Sequence, residues 1–570
     1  ASSLSNEDFQ AFVFGDSSIN WTFSHLAERD LLVGESIGIG VALIILALVF
    51  GAVIAGLIPL ILALVSVFTT IGLVSIVGQI LELNEFVPNI VTMMGLAVGI
   101  DYSLFVLSRY NEERGKGLNK LDAIRSTGAT ANRAIFFSGG TVVLALTGML
   151  ITPERFFQAF GTGAILVVFV AVIACLTLLP ALISILGDRV NSVGVPKLFV
   201  TLLFIIGVYA IPDRTEAFRI MIVAATVISL LISKSILLSI WKVIRHSRDQ
   251  SKNMENNLVE HHRPTRPGFW DRSTKLVMRI PIVSMLISVA ILGALIIPFA
   301  DLQKGTSGIS VLPDQEHTKQ AFELLNEKYG FGSDQPAIVV IEADIQSTEI
   351  KESLDSLQDL INNYPGLQPP TLLISPDNTI AIINAAIPGD PFSQPALNTI
   401  RHLRTVLIPR AFADLESSEY VAFVGGASAE TVDSVDLTDE YTPWVFTAVL
   451  GLSFCLLLIA FRSIVIPIAS ILMNLLSVGA AYGLVVLVFQ KGFLTDIFGF
   501  QQVEQVEFWL PLFMFSILFG LSMDYHVFML SRIKEHYDET GDHGESVAFG
   551  LRTTARIITG AALIMVAVFG

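Results

Sequence analysis

The sequence predicts a polytopic α-helical membrane protein: two transmembrane halves repeated about a pseudo-twofold axis, with an α/β porter-type extracytoplasmic domain set into the second half. Three observations predict it. Many apolar runs are long enough to cross a bilayer, two of them carry the same aspartate–tyrosine pattern, and one long polar stretch interrupts the series near residues 300–440.

Composition sets the class. The chain has 570 residues with 15% charged and 53% hydrophobic side chains, and its mean hydropathy is +0.67. Such a chain belongs among multi-pass membrane proteins. A net charge of −16 argues against a nucleic-acid partner. Cys175 and Cys455 both lie within apolar runs. They offer neither a disulfide framework nor a metal spacing and read as small buried hydrophobes. The first residue is Ala and the final "ALIMVAVFG" stops inside an apolar run, so the chain reads as a fragment of a longer protein, cut at both ends.

A bilayer-spanning helix needs about 20 mostly apolar residues. Runs of that kind fall near 36–54, 56–80, 88–108, 133–151, 158–187, 195–212, 217–241, 281–299, 443–461, 464–489, 508–530 and 555–570. The organisation that follows begins with the end of a first extracytoplasmic domain at 1–30. A first transmembrane half at 31–190, an extra two-helix hairpin at 191–245 and a polar cytoplasmic loop at 246–280 come next. A span at 281–299 leads to the second extracytoplasmic domain at 300–440, and the second transmembrane half occupies 441–570.

Within 300–440, "PAIVVIEADI" (336–345) and "TIAIINAAIP" (379–388) read as half-buried strands. The stretches 318–330, 350–366 and 395–410 read as amphipathic helices. Their alternation argues a small α/β or α+β domain. It is acidic, with about 22 Asp and Glu against about 7 Lys and Arg.

Orientation follows from the short loops. Arg109, Arg114, Lys116, Lys120, Arg125 and Arg133 crowd one connection, and Arg532, Lys534, Arg552 and Arg556 another. A third basic group, Arg245 to Arg279, precedes the 281–299 span. The positive-inside rule makes all three cytoplasmic and puts the acidic domain outside the cytoplasm.

The two halves match at a nearly fixed offset. "GDSSIN" (15–20) precedes one span as "GGASAETVDS" (425–434) precedes another, and Phe50-Gly51-Ala52 answers Phe461-Arg462-Ser463. Asp101, Tyr102, Phe105, Leu107, Ser108 and Arg109 answer Asp524, Tyr525, Phe528, Leu530, Ser531 and Arg532, and Arg133 answers Arg556. Parallel repeats of this kind recur in secondary transporters.

An aspartate at the bilayer centre costs about 2.5–3.5 kcal/mol on insertion scales. Two Asp-Tyr pairs at equivalent positions are hard to assign to chance. Packed about a pseudo-twofold axis, the pairs can face each other, each carboxyl accepting from the other pair's tyrosine. Desolvation favours a protonated carboxyl and a hydroxyl donor favours an ionised one. Their opposition suits a group that loads and releases a proton, so Asp101, Tyr102, Asp524 and Tyr525 are the candidate relay. The competing reading is a purely structural hydrogen-bonded pair. His526 follows the second pair, but neighbours on a helix point about 100° apart, so an interhelical role competes with a relay role. Ser138, in "FFSGG", either polarises the site or serves helix packing through its small neighbours.

These residues resemble the MMPL group of the resistance-nodulation-division (RND) superfamily. The carriers are "GLAVGIDYSLFVLSRYNEER", "CLTLLPALISILGDRVN" (175–191), "FWDRSTKLVMRIP" (269–281), "FVGGASAE" (423–430), "AFRSIVIPIASILMNLLSVGAAYG" (460–483) and "FGLSMDYHVFMLSRIKEHYDE". The resemblance implies export of lipids or other hydrophobic molecules, driven by the proton-motive force, from two porter domains and two six-helix halves. The present spans would be family helices 2–6, 7 and 8–11. It assigns the relay to Asp101, Tyr102, Asp524 and Tyr525, and places Phe105, Phe528 and Ser138 around the same cavity, with His526 beside it. One departure is the hairpin at 195–241, where the family has a cytoplasmic loop. It reads as an inert insertion in preference to a regulatory or partner-binding hairpin.

The implied partners are protons, a lipid or hydrophobic small molecule and the membrane, without nucleic acid. Superfamily relatives include monomers, dimers and trimers, so an oligomer or envelope accessory proteins are further candidates. No cofactor is expected. His261-His262 lacks further ligands for a metal, and no G-x-x-x-x-G-K-[ST] loop points to a nucleotide. An enzyme is therefore not expected. The alternative function is a sterol-sensing, receptor-like lipid-binding protein of the same superfamily that does not export. A proton-coupled auxiliary of protein secretion is a third reading, though that class has smaller halves and different motifs.

Overall fold

The computed structural model describes residues 12–50, 52–84, 86–187, 269–306, 308–329, 335–416, 419–498 and 500–569. The extra hairpin at 195–241 and His261-His262 lie outside the described residues.

The first half consists of α1 (Asp16–Phe50), α2 (Val53–Val77), α3 (Val87–Gly115), α4 (Lys120–Thr147) and α5 (Arg155–Leu186). Their starts are written locally. Pro88 sits in the first turn of α3, where its missing N–H costs nothing. Asn119 accepts from the Asp122 amide to cap α4, and Glu154 accepts from the Phe156 amide to cap α5. Residues 269–279 were expected inside a polar loop, yet they form α6 (Phe269–Arg279). The helix α7 (Pro281–Ile296) follows, and among the described residues none of its side chains is fully buried. Its apolar surface matches a lipid-facing span.

The α/β domain then runs through β1 (Lys304–Gly305), α8 (His317–Tyr329), β2 (Ala337–Ala343), α9 (Thr348–Asn362), β3 (Thr371–Ile374), β4 (Ile380–Ala385), α10 (Gln394–His402), α11 (Ile408–Ala411) and β5 (Tyr420–Gly425). The antiparallel sheet has the order β3-β4-β2-β5. Strands β2 and β4 stand within the two runs that the sequence marks as strands, while β3 and β5 are additional to them. Val339, Ile341, Ala381 and Ile383 point inward and meet Leu354, Leu357 and Ile361 of α9 and Leu397 and Ile400 of α10. The period-2 and period-3.6 stripes thus close one core.

The chain returns to the membrane through α12 (Ala427–Phe461), α13 (Val465–Val485), α14 (Thr495–Phe498), β6 (Val506–Glu507), α15 (Leu510–Thr540) and α16 (His543–Phe569). Helices α1 and α12 are each 35 residues long, about 52 Å at 1.5 Å per residue. Each therefore continues out of its span toward the α/β domain. Gly541, at φ 72°, ends α15 in the left-handed conformation that glycine tolerates.

Among the described residues, nine helices are long and apolar enough to cross a membrane. Their packing has repeat symmetry. Helix α4 packs on α12 and α15 of the other half, and its counterpart α16 packs on α1 and α3. Within the halves, α2 lies on α3 as α13 lies on α15. Close approach depends on small residues: Gly99 lies against Ala63, and Gly520 against the backbone of Val142. Of the two cysteines, Cys175 is buried but Cys455 is exposed on α12. The apolar run around Cys455 faces outward, a side-of-helix distinction that overall hydrophobicity does not contain.

Candidate functional site

Helices α3 and α15 bring the two Asp-Tyr pairs together. The Tyr102 hydroxyl donates to Asp524 Oδ2 at 3.0 Å. The Tyr525 hydroxyl donates to Asp101 Oδ2 at 2.8 Å. Asp101 and Asp524 are 3% and 1% exposed, and Tyr102 is fully buried. Each half thus supplies the donor for the other half's carboxyl.

The two carboxyls are not equivalent. Asp524 Oδ1 accepts from Thr141 Oγ1 of α4 at 3.1 Å, so both its oxygens are served. Asp101 Oδ1 is buried and has no hydrogen-bond partner among the described residues. Thr141 was not singled out from the sequence. It follows Ser138 by one helical turn and shares its face, which is the signal that would have found it.

Ser138 is buried and borders a cavity of about 10 Å³ with Phe105 and Phe528, room for about one water molecule. The Phe105 and Phe528 rings meet with centroids 4.1 Å apart, and Phe105 lies 6.2 Å from the Tyr525 ring. His526 is partly buried, and its Nδ1 has no hydrogen-bond partner among the described residues. No hydrogen bond described joins it to the four relay candidates.

Further along α3 and α15, away from the α/β domain, charged residues of both halves meet, with Glu113 also 3.3 Å from Arg109. Arg109 and Arg532 bond to Glu112 and Glu535 across the two halves. Both arginines stand out in the sequence as loop cations, whereas the glutamates do not. The repeated Arg-x-x-Glu spacing, at 109–112 and 532–535, was the available signal. Beyond the end of α3, burial alone would lower the Lys116 ammonium. Hydrogen bonds to Glu113 and Glu112 outweigh it and hold Lys116 above the ordinary lysine range.

On the other side, a cavity of about 1060 Å³ lies between the α/β domain and the helix ends. Asn20, Phe156, Phe392, Glu430 and Trp509 contribute to its wall, and its described lining contains no Lys or Arg. A short parallel ladder ties domain to helix at this level, with Lys304 opposite Val506 and Gly305 opposite Glu507. Gln505 donates to Thr306 O at 3.1 Å and to Phe392 O. Gln394 in turn donates to Gln505 Oε1 at 2.8 Å.

Pseudo-symmetric helices, buried cross-paired carboxyls and an attached α/β domain define a polytopic membrane protein of the RND architecture. The chain belongs to the MMPL family, whose model matches residues 1–199 and 310–570. It is 30% identical over 99% of its length to the "Mycolic acid-containing lipids exporter MmpL11" of Mycolicibacterium smegmatis, covering 53% of that protein. It is likewise 30% identical over 99% of its length to the "Heme uptake protein MmpL11" of Mycobacterium tuberculosis, covering 52% of it. To the "Trehalose monomycolate exporter MmpL3" of M. smegmatis it is 26% identical over 95% of its length, covering 50%. The chain thus spans about half the length of these relatives. A crystal structure of SecDF from Thermus thermophilus aligns with 94% of the chain and 60% of its own, at 13% identity and a TM-score of 0.47.

Proposed function

We propose that this chain is the core of a proton-driven transporter that exports lipids or other hydrophobic molecules from the cytoplasmic membrane. The observation that carries the reading is the crossed pairing of Tyr102 with Asp524 and of Tyr525 with Asp101. Carboxyls placed this deep mark proton or ion pathways more often than structure alone. The relatives' names support a hydrophobic cargo: two are exporters of mycolic-acid lipids or trehalose monomycolate, and one is named for heme uptake.

In this reading the basic loops are cytoplasmic and the acidic domain extracytoplasmic. A proton from outside neutralises the carboxyl of Asp101, whose buried Oδ1 has no hydrogen-bond partner among the described residues. Loss of that charge changes the preferred packing of α3 against α15. The N-terminal end of α15 follows β6, which pairs with β1 of the α/β domain, so its movement is passed to the large cavity. The cavity takes an amphiphile, and its acidic wall disfavours an anionic headgroup.

The test uses the full-length protein in liposomes with a trapped pH-sensitive dye and an imposed proton gradient. Candidate envelope lipids and heme are added in turn, and Asp101→Asn is compared with wild type. Cargo-dependent proton flux that disappears in the variant supports the reading. Undiminished flux in the variant sinks the relay. Cargo binding without flux in the folded wild type favours the receptor-like alternative.

A further inference from the structure

The charged group at the basic ends of α3 and α15 is a closed ring. Arg109 donates to Glu112 on its own helix at 2.8 Å and to Glu535 on the other at 2.9 Å. Arg532 donates to Glu535 at 2.9 Å and crosses to Glu112 at 2.5 Å. Each guanidinium bridges both carboxylates, and each carboxylate divides its oxygens between the two halves. The arginine side chains are 9% exposed, against 30% for Glu112 and 36% for Glu535. A bridged, half-buried network of this kind has defined geometry, unlike single surface ion pairs.

The ring stands in line with the relay. Asp101 and Arg109 share α3, and the intervening turns separate them by about 12 Å of helix. Between them lie Phe105 and Phe528. The small cavity beside Ser138 and a second cavity of about 50 Å³ both border Ala131, Ala134 and Phe528. The second is also walled by Arg109, Arg532 and Glu535. The line from the carboxyls toward the basic end is thus occupied by Phe105 and Phe528, with the ring beyond them.

We propose that the Arg109–Glu112–Arg532–Glu535 ring is the cytoplasmic gate of the proton path. The proposal rests on the relay reading above. Closed, the ring ties α3 to α15 by two cross-half ion pairs and fills the end of the path with paired side chains. Movement of α15 past α3 breaks both pairs together, because each residue serves both helices. Proton release and helix movement are thereby one event.

The test again uses full-length protein, in phosphatidylethanolamine–phosphatidylglycerol vesicles under a proton gradient without cargo. Glu112→Gln with Glu535→Gln removes both cross-half carboxylates and leaves Glu113, 3.3 Å from Arg109 on the same helix, in place. The expected result is a several-fold rise in proton leak, lost again when Asp101→Asn is added. A leak that stays at the wild-type level, or that ignores Asp101→Asn, overturns the gate. A second variant, Glu112→Cys with Arg532→Cys in a cysteine-free background, is bridged by a short cleavable bifunctional methanethiosulfonate. Bridging should abolish cargo-dependent flux, and reductive cleavage should restore it. Full flux in the bridged protein shows that the ring need not open. Full cargo-dependent flux in Asp101→Asn alone defeats the relay instead, and the bridged protein still reports on the ring.

Discussion

Tyr102 reaches Asp524 across the interface between the two halves, 422 residues further along the chain, with 3.0 Å between hydroxyl and carboxyl oxygens. The partner bond, Tyr525 to Asp101, is its mirror within the repeat. Neither half can satisfy its own carboxyl this way. Duplication followed by facing assembly is what creates the site.

The two crossed bonds should act as one unit. Tyr102→Phe and Tyr525→Phe each remove one hydroxyl while keeping the ring volume. Each is expected to reduce cargo-dependent proton flux by tenfold or more, since an unserved buried acceptor costs about 1–3 kcal/mol. The double variant should lose little beyond either single one, because coupled groups are not additive. Flux measured in a double-mutant cycle decides this, and fully additive losses would mean two independent bonds.

Thr141 distinguishes the two carboxyls. Thr141→Val keeps shape and removes the donor to Asp524 Oδ1. Transport should fall by about tenfold on the same hydrogen-bond scale, with the amount of folded protein unchanged. An unchanged turnover would show that Asp524 does not depend on this hydroxyl.

Packing around Tyr102 has no spare room. A side chain at Gly139 would run into a methyl of Val172 and come within 3.6 Å of the Tyr102 hydroxyl. Gly139→Val is expected to destabilise the helix bundle by about 1–3 kcal/mol and to displace Tyr102. Thermal unfolding of the purified protein in detergent should shift down, together with a loss of proton flux. Wild-type stability in this variant would contradict the close packing of α4 on α5.

Much of this was legible in the sequence because the residues concerned come in repeats. Asp101 and Asp524 stand out as charges in apolar runs, and their tyrosines share the spacing. The strands β2 and β4 alternate clearly. By contrast β3 exposes Leu373 and Ile374, and β5 exposes Val421 and Phe423 while Ala422 and Val424 face the core, so apolar residues on both faces hide the inward stripe in the sequence. Thr141 looks like any threonine in a transmembrane helix, because its function depends on a partner hundreds of residues away. Glu112 and Glu535 lie in charged stretches that read as solvated loop, although both sit on continuing helices. The large cavity depends on how the α/β domain rests on the helix ends, which local pattern does not encode.

The joint between α15 and the α/β domain gives the last prediction. Gln505 is buried beside β6, and its amide donates to two carbonyls of the α/β domain while accepting from Gln394. Gln505→Leu keeps much of the volume but removes all these bonds, leaving Thr306 O and Phe392 O without this donor. Local loosening there leaves the Asp-Tyr cluster untouched, since Gln505 precedes Asp524 by about five turns of helix and loop. If α15 drives the domain through this joint, cargo export should fall by tenfold or more while proton flux persists without cargo. Export and proton flux must therefore be measured side by side, with a fluorescent lipid and a trapped dye. Equal loss of both would place Gln505 in general folding. Full retention of both would show that the movement of α15 reaches the domain by another contact, α12 being the continuous helix that joins them.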